Sequence, residues 1–287
     1  MQKSILKFCL FLLIGFLFTF SGFSQENSLL WKISGNGLKE DSYLFGTIHL
    51  ICKEDFSVSD QVKSALLNSD QVILELDMDD PTLMSEMQKF SIREGMKNLK
   101  EAITPEEAQI LNEFFTENYG VGLDQIGVLK PFVLSSMALI KSLSCEQTES
   151  YEQFFKNHAT ESGKEILGLE SVESQIGIFD QIPESIQISE LVKMIQENSG
   201  NEEFAELVAL YLDQDLNQMY QLMTEDGMFA EYQDILLDKR NENWIPVLES
   251  QLMEKSSFVA VGGGHLAGEK GVINLLRAKG YVLTPLR

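Results

Sequence analysis

One pattern, written near both ends of the chain, constrains the fold more than any other feature. Near the start, Ser42-Tyr43-Leu44-Phe45 leads through Gly46-Thr47-Ile48 to His49. Near the end, Ser257-Phe258-Val259-Ala260-Val261 leads through Gly262-Gly263-Gly264 to His265. Each is an apolar run of strand length, then a glycine, two residues and a histidine. Glycine lets a backbone turn sharply or approach a ligand closely. The histidine then lies just beyond the carboxyl end of its strand, where open α/β sheets collect ligands.

The intervening sequence fills in an α/β architecture. Leu29-Leu30-Trp31-Lys32-Ile33 reads as a strand, and Gly35-Asn36-Gly37 as a turn into the next. Ser59 caps a helix through Leu67, and Gln71-Val72-Ile73-Leu74-Glu75-Leu76-Asp77 is a strand ending in acids. Thr104-Pro105-Glu106-Glu107 is a capping box with proline at the first helical position, and Gly120 is that helix's stop. Pro131 opens another helix, Tyr151 to Ser162 is amphipathic, and Glu165-Ile166-Leu167-Gly168-Leu169-Glu170 is again a strand ending in an acid. From Ser189 to about Leu252 the periodicity is helical. The expectation is an α/β fold with a mixed or parallel central sheet built from the N- and C-terminal segments. A large helical insertion spans about residues 82–252.

The chain has three histidines. His158 reads as a surface helix residue. His49 and His265, at neighbouring strand ends, could share a divalent metal or act as an acid/base pair, and Glu75 and Glu170 are delivered to the same edge. Two His and one or two Glu would leave a position open for a water, whose pKa a metal would lower. Without a metal, Glu75 could orient or activate a histidine base. Asp77, Asp79 and Asp80 read as a solvated turn. Gly262 to Ala267 also fits a dinucleotide-binding glycine pattern. That reading needs an acid at the end of the next strand, and Tyr281-Val282-Leu283-Thr284-Pro285 has none.

Charge and the termini bound the partners. A formal net charge of −22 argues against nucleic acid and anionic membranes. Lys3 and Lys7 precede an uncharged run from Phe8 to Phe20, followed by Gly22-Phe23-Ser24, which reads as a secretory signal over residues 1–24. The mature chain from residue 25 has no span of membrane length, so the protein is expected to be exported, periplasmic or secreted. Cys52 and Cys145 remain after cleavage and either pair or stay as small apolar residues.

Taken in order, these segments resemble the TraB/GumN family, which is related to the TIKI metalloproteases. The matching stretches are Trp31-Lys32-Ile33-Ser34 with Tyr43 to His49, Ile73 to Asp77, Gly163 to Gln175, Arg240-Asn241-Glu242-Asn243-Trp244, and Val261 to Leu266. The resemblance implies a fold similar to the erythromycin-esterase and haem-binding ChaN group. It also implies a site made of the two Gly-x-x-His motifs plus Glu, and divalent-metal-dependent peptide cleavage for TIKI-like members. Carried over, His49, Glu75, Glu170 and His265 are candidate ligands of a metal such as Mn, Co or Zn. His49, Glu75, His265 and Arg240 are candidate catalytic groups. Arg240 would anchor a carboxylate or oxyanion through its planar fork, or bridge structurally to Glu75 or Glu170. The expected function is a metal-dependent hydrolase acting on a peptide or other small substrate. The alternatives are a haem- or metal-binding protein without catalysis, or a non-catalytic inhibitory or signalling binder.

Overall fold

The structure is a computed structural model that describes residues 27–287 apart from 144 and 198. The leader expected over residues 1–24 lies outside the described residues. Among the described residues there are eight strands: β1 (Leu30–Gly35), β2 (Ser42–Thr47), β3 (Ile51–Cys52), β4 (Gln71–Leu74), β5 (Thr148–Glu149), β6 (Glu165–Gly168), β7 (Ser257–Gly262) and β8 (Tyr281–Leu286). Six form one sheet in the order β6-β4-β7-β2-β1-β8. Strands β6, β4, β7 and β2 run parallel, and β1 is antiparallel to both of its neighbours.

Residue type explains this layout. β4 and β7 are buried along their whole length, as continuous apolar runs must be when helices cover both faces of a parallel sheet. β1 joins β2 through Gly35, Asn36 and Gly37, all at positive φ, the backbone that a tight hairpin requires. Pro285, which lacks a donor, sits in β8 at the edge of the sheet, where the missing hydrogen bond costs least.

The helices start and stop where the sequence marks them. Ser59 caps the helix Asp60–Asn68 by accepting from the Val62 N–H. Thr104 and Glu107 close a capping box on Pro105–Tyr119, and Gly120 ends it in the left-handed region. Ser150 caps Tyr151–Ser162, with Gly163 as the left-handed stop. After His265 the chain becomes helical again only at Val272. Gly268 is at positive φ and cannot continue a right-handed helix.

The long middle of the chain is not one uninterrupted helical excursion. β6 returns from it to pair with β4 in the main sheet. The helices on either side of that return share a second apolar core of Leu99, Leu111, Phe115, Leu123, Leu134, Ile188 and Leu191. The main core lies around the sheet, with Trp31, Phe45, Phe155, Trp244 and Phe258 at its centre. Among the described residues, no helix is long and apolar enough to cross a membrane.

Candidate active site

Four parallel strands discharge their side chains along one edge of the sheet. β2 leads to His49, β4 to Glu75, β6 to Glu170, and β7 through a short 3-10 turn (Gly263–His265) to His265. Neither motif glycine, Gly46 or Gly262, has a positive φ. What each provides is room. A Cβ on Gly46 would lie 3.2 Å from Gly263 Cα and 3.1 Å from Leu266 Cδ2. A Cβ on Gly262 would lie 3.3 Å from Glu75 Oε1, 3.4 Å from His49 Nε2 and 3.5 Å from His265 Cδ2. Glu75 and both imidazoles therefore surround a single point above Gly262.

Arg240 stands in the middle of the expected ligands. Its Nη2 donates to Glu75 Oε2 at 2.6 Å and to Glu170 Oε1 at 2.5 Å, and its Nη1 lies 2.9 Å from His265 Nε2. A π-helical turn, Asp234–Asp238, immediately precedes it, and Nη1 also donates to the Leu236 carbonyl in that turn. Such turns are common where a helix must aim a functional side chain. The guanidinium lies over the Trp244 ring, 4.9 Å from its centroid. Gln175 Nε2 adds hydrogen bonds to Glu75 Oε2 at 3.0 Å and Glu170 Oε1 at 3.2 Å. Beside Arg240 and Trp244 opens a cavity of about 330 Å³, whose walls mix Leu169, Ile178 and Ile235 with Ser171 and Asn243.

The two histidines have opposite surroundings. His265 is buried, its Nδ1 is 2.7 Å from Asn241 Oδ1, and its ring packs 4.5 Å from Trp244. Asn241 Oδ1 can only accept, so the proton sits on Nδ1, and Nε2 offers its lone pair to Arg240. Burial, reinforced by the positive charge of Arg240, lowers the His265 pKa to about 3. His49 keeps 66 % of its side chain open to solvent. Its Nδ1 is 2.9 Å from Glu152 Oε1, and its Nε2 is 3.9 Å from Glu75 Oε1. Desolvation opposes its charged form, but the hydrogen bond to Glu152 and the charges of Glu75 and Glu152 prevail and raise its pKa to about 9. For so open a ring, water screens part of that effect.

The acids follow the same logic. Burial opposes ionisation of Glu75, yet Arg240, His49 and the Gly262 N–H at 2.8 Å hold its carboxyl well below the usual range. Glu152 is half-buried, and its carboxyl is likewise lowered against desolvation, by His49 and by Thr47 Oγ1 at 2.6 Å.

Glu152 escapes sequence reasoning, because an acid in a capped first helical turn reads as an ordinary dipole partner. It meets His49 because β3 pairs with β5 and a Cys52–Cys145 disulfide ties the His49 loop to the segment before Glu152. Asn241 is the positioning partner of His265. His158 is drawn into no part of this cluster, and its ring stacks on Phe154.

The expected four-ligand ion can be tested against these contacts. Donor atoms of Glu75, Glu170 and His265 are held by one guanidinium, while Glu75 Oε1 accepts from the Gly262 N–H and His49 Nε2 faces it across 3.9 Å. Among the described residues, no group of three or more His, Cys, Asp or Glu stands at metal-ligating spacing. As arranged, the four side chains do not fit a shared ion.

The TraB/PrgY/gumN family model matches residues 29–285. The chain belongs to this family. A relative of this TraB/PrgY/gumN member is the "Metalloprotease TIKI2" of Danio rerio, 22 % identical over 319 residues, covering 89 % of this chain and 60 % of the relative. The chain thus spans less than two thirds of that relative's length. No solved structure matches this family member.

Proposed function

We propose that the protein is a hydrolase of peptide or similar acyl bonds, acting outside the cytoplasm, with His49 as its proton-transfer group. The observation that carries this reading is the His49 ring itself, anchored at Nδ1 by half-buried Glu152 with Nε2 open toward Glu75. A ring fixed at one nitrogen and free at the other is the arrangement that general acid–base catalysis uses. Near neutral pH the ring carries two protons, so its first act is donation from Nε2 to a substrate carbonyl oxygen or leaving atom. Glu75 lies across the 3.9 Å gap as the acceptor for a water attacking from the same space. The cations that keep Glu75 ionised also weaken it as a base, so the donor is the stronger half of the pair. Similarity to TIKI2 supports a peptide substrate. The cavity beside Arg240 supports a pocket for a substrate side chain. The disulfide and the expected leader support an oxidising, extracytoplasmic location.

A divalent ion is a second reading, favoured by the same similarity and by His49 Nε2 facing Glu75 Oε1, whose second lone pair is left free by the Gly262 N–H. Bound there, it would polarise a carbonyl and acidify water. His265 and Glu170 could join only if Arg240 released them.

The test is hydrolysis of peptide and ester libraries by the purified protein, with and without added metal. His49→Ala is expected to lower kcat/KM by at least about 100-fold, the scale of general acid–base catalysis, while the variant stays folded by circular dichroism. Undiminished turnover in folded His49→Ala overturns the assignment.

A further inference from the structure

We infer that Arg240 is the built-in cation of this site, so that its guanidinium and a divalent ion exclude one another from Glu75 Oε2, Glu170 Oε1 and His265 Nε2. Besides the Leu236 carbonyl, Arg240 holds the carboxylates of Glu75 and Glu170 and one imidazole nitrogen carrying its lone pair. Those are the donors that borderline divalent ions take. His265 is even oriented as a ligand would be, its Nδ1–H fixed by Asn241 so that Nε2 points at the cation. In a metal site the cation at that nitrogen is an ion; here it is an arginine.

The exclusion is electrostatic and geometric. The Nη2 atom alone touches both carboxylates, at 2.6 Å and 2.5 Å, which leaves no gap for an ion between them. An ion bonded to these three atoms would stand in direct contact with a guanidinium, and two adjacent cations in a buried site repel strongly. An ion can therefore gain all three donors only by displacing Arg240 or when Arg240 is absent. This inference bears on the ion reading alone. Its experiment measures binding, so its failure leaves the His49 proton-transfer reading untouched.

The test is titration of the full chain with MnCl2 and with CoCl2 by calorimetry, alongside thermal unfolding at each ion concentration. Arg240→Gln is expected to bind one ion with Kd at least tenfold below that of the parent, and its Tm should rise further on saturation. Losing Arg240 leaves two buried acids unpaired, which can prevent folding. Glu170→Gln combined with Arg240→Gln removes one negative charge with the positive one. It keeps Glu75 and His265, and is expected to show the same gain to a smaller degree. Affinity equal to or weaker than the parent's in whichever of these variants folds overturns the proposal. So does an ion that tightens on the parent but not on the variants.

Discussion

His49 and His265 stand behind the same Gly-x-x spacing at the ends of adjacent parallel strands, β2 and β7, yet the fold gives them opposite chemistry. One ring opens to solvent between two carboxylates, and the other is sealed against an indole with a guanidinium on its free nitrogen. The spacing sets where each side chain starts, and the elements crossing over the strand ends decide what it meets. Over β2 that element is the first turn of Tyr151–Ser162, which brings an acid. Over β7 it is the first turn of Lys239–Glu254, which brings Arg240 and Asn241. Duplicate motifs at one sheet edge thus form an asymmetric pair, with one titrating group and one fixed acceptor.

The most severe way to break this asymmetry is to remove its source. Arg240→Ala strands Glu75, Glu170 and the His265 lone pair without their cation. Deleting one partner of a buried pair costs about 3–5 kcal/mol. We expect a loss of that order in chemical denaturation. His265 should also titrate at higher pH in ring NMR, since the positive charge beside it is gone. A loss under about 1 kcal/mol, within the range of an exposed pair, would show that the guanidinium is not the keystone of this half.

How much of this was legible in the sequence follows from the range of each interaction. The strands, caps and glycine stops are local, so Ser59, Thr104 and Gly120 announced their elements directly. The convergence of Glu75, Glu170 and the two histidines on one edge followed from strand ends and the rule that ligands gather there. The return of β6 to the sheet could be read as a strand, but not as a neighbour of β4, because pairing is a non-local choice. Glu152 and Gln175 carried no signal of their own. An acid in a first turn and an amide three residues into a short helix look alike whether they face solvent or a catalytic edge. For Arg240, sequence offered an oxyanion anchor or a bridge to one acid, and only packing shows that it spans both acids and the second histidine.

A milder perturbation, pH, acts on the two rings with opposite sign. His265 is lowered to about 3, so folding favours its neutral form. Its contribution is complete above the unfolded value of about 6.5 and is lost as pH falls from there toward 3. Glu75, also depressed, adds to the loss on the acid side once pH drops below the ordinary carboxylate range. His49 is raised to about 9, so its contribution is complete below about 6.5 and is lost as pH rises through 9. Unfolding free energies measured against pH in EDTA should therefore fall on both sides. His49→Ala should flatten the alkaline limb, and His265→Ala should reduce the acid one. The alkaline effect should be the smaller, because His49 is open to screening water. An alkaline limb that survives His49→Ala unchanged would mean that this ring is not held charged by its acids.

The smallest change sharpens the comparison furthest. Glu152→Gln keeps an oxygen where Thr47 Oγ1 and His49 Nδ1 now meet Glu152 Oε1, but removes the charge. The ring stays positioned and loses one of the two carboxylates that raise it. Its pKa, followed by NMR, should fall from about 9 by roughly one unit or more, the usual scale for losing a close ion partner. The alkaline limb of kcat should move down with it, while KM changes little. A purely structural role for Glu152 would lower stability and leave the titration in place. If the ring still titrates near 9, Glu75 alone sets its charge. The difference between the two motif copies would then trace to Arg240, which neutralises Glu75 on the His265 side and leaves its other oxygen facing His49.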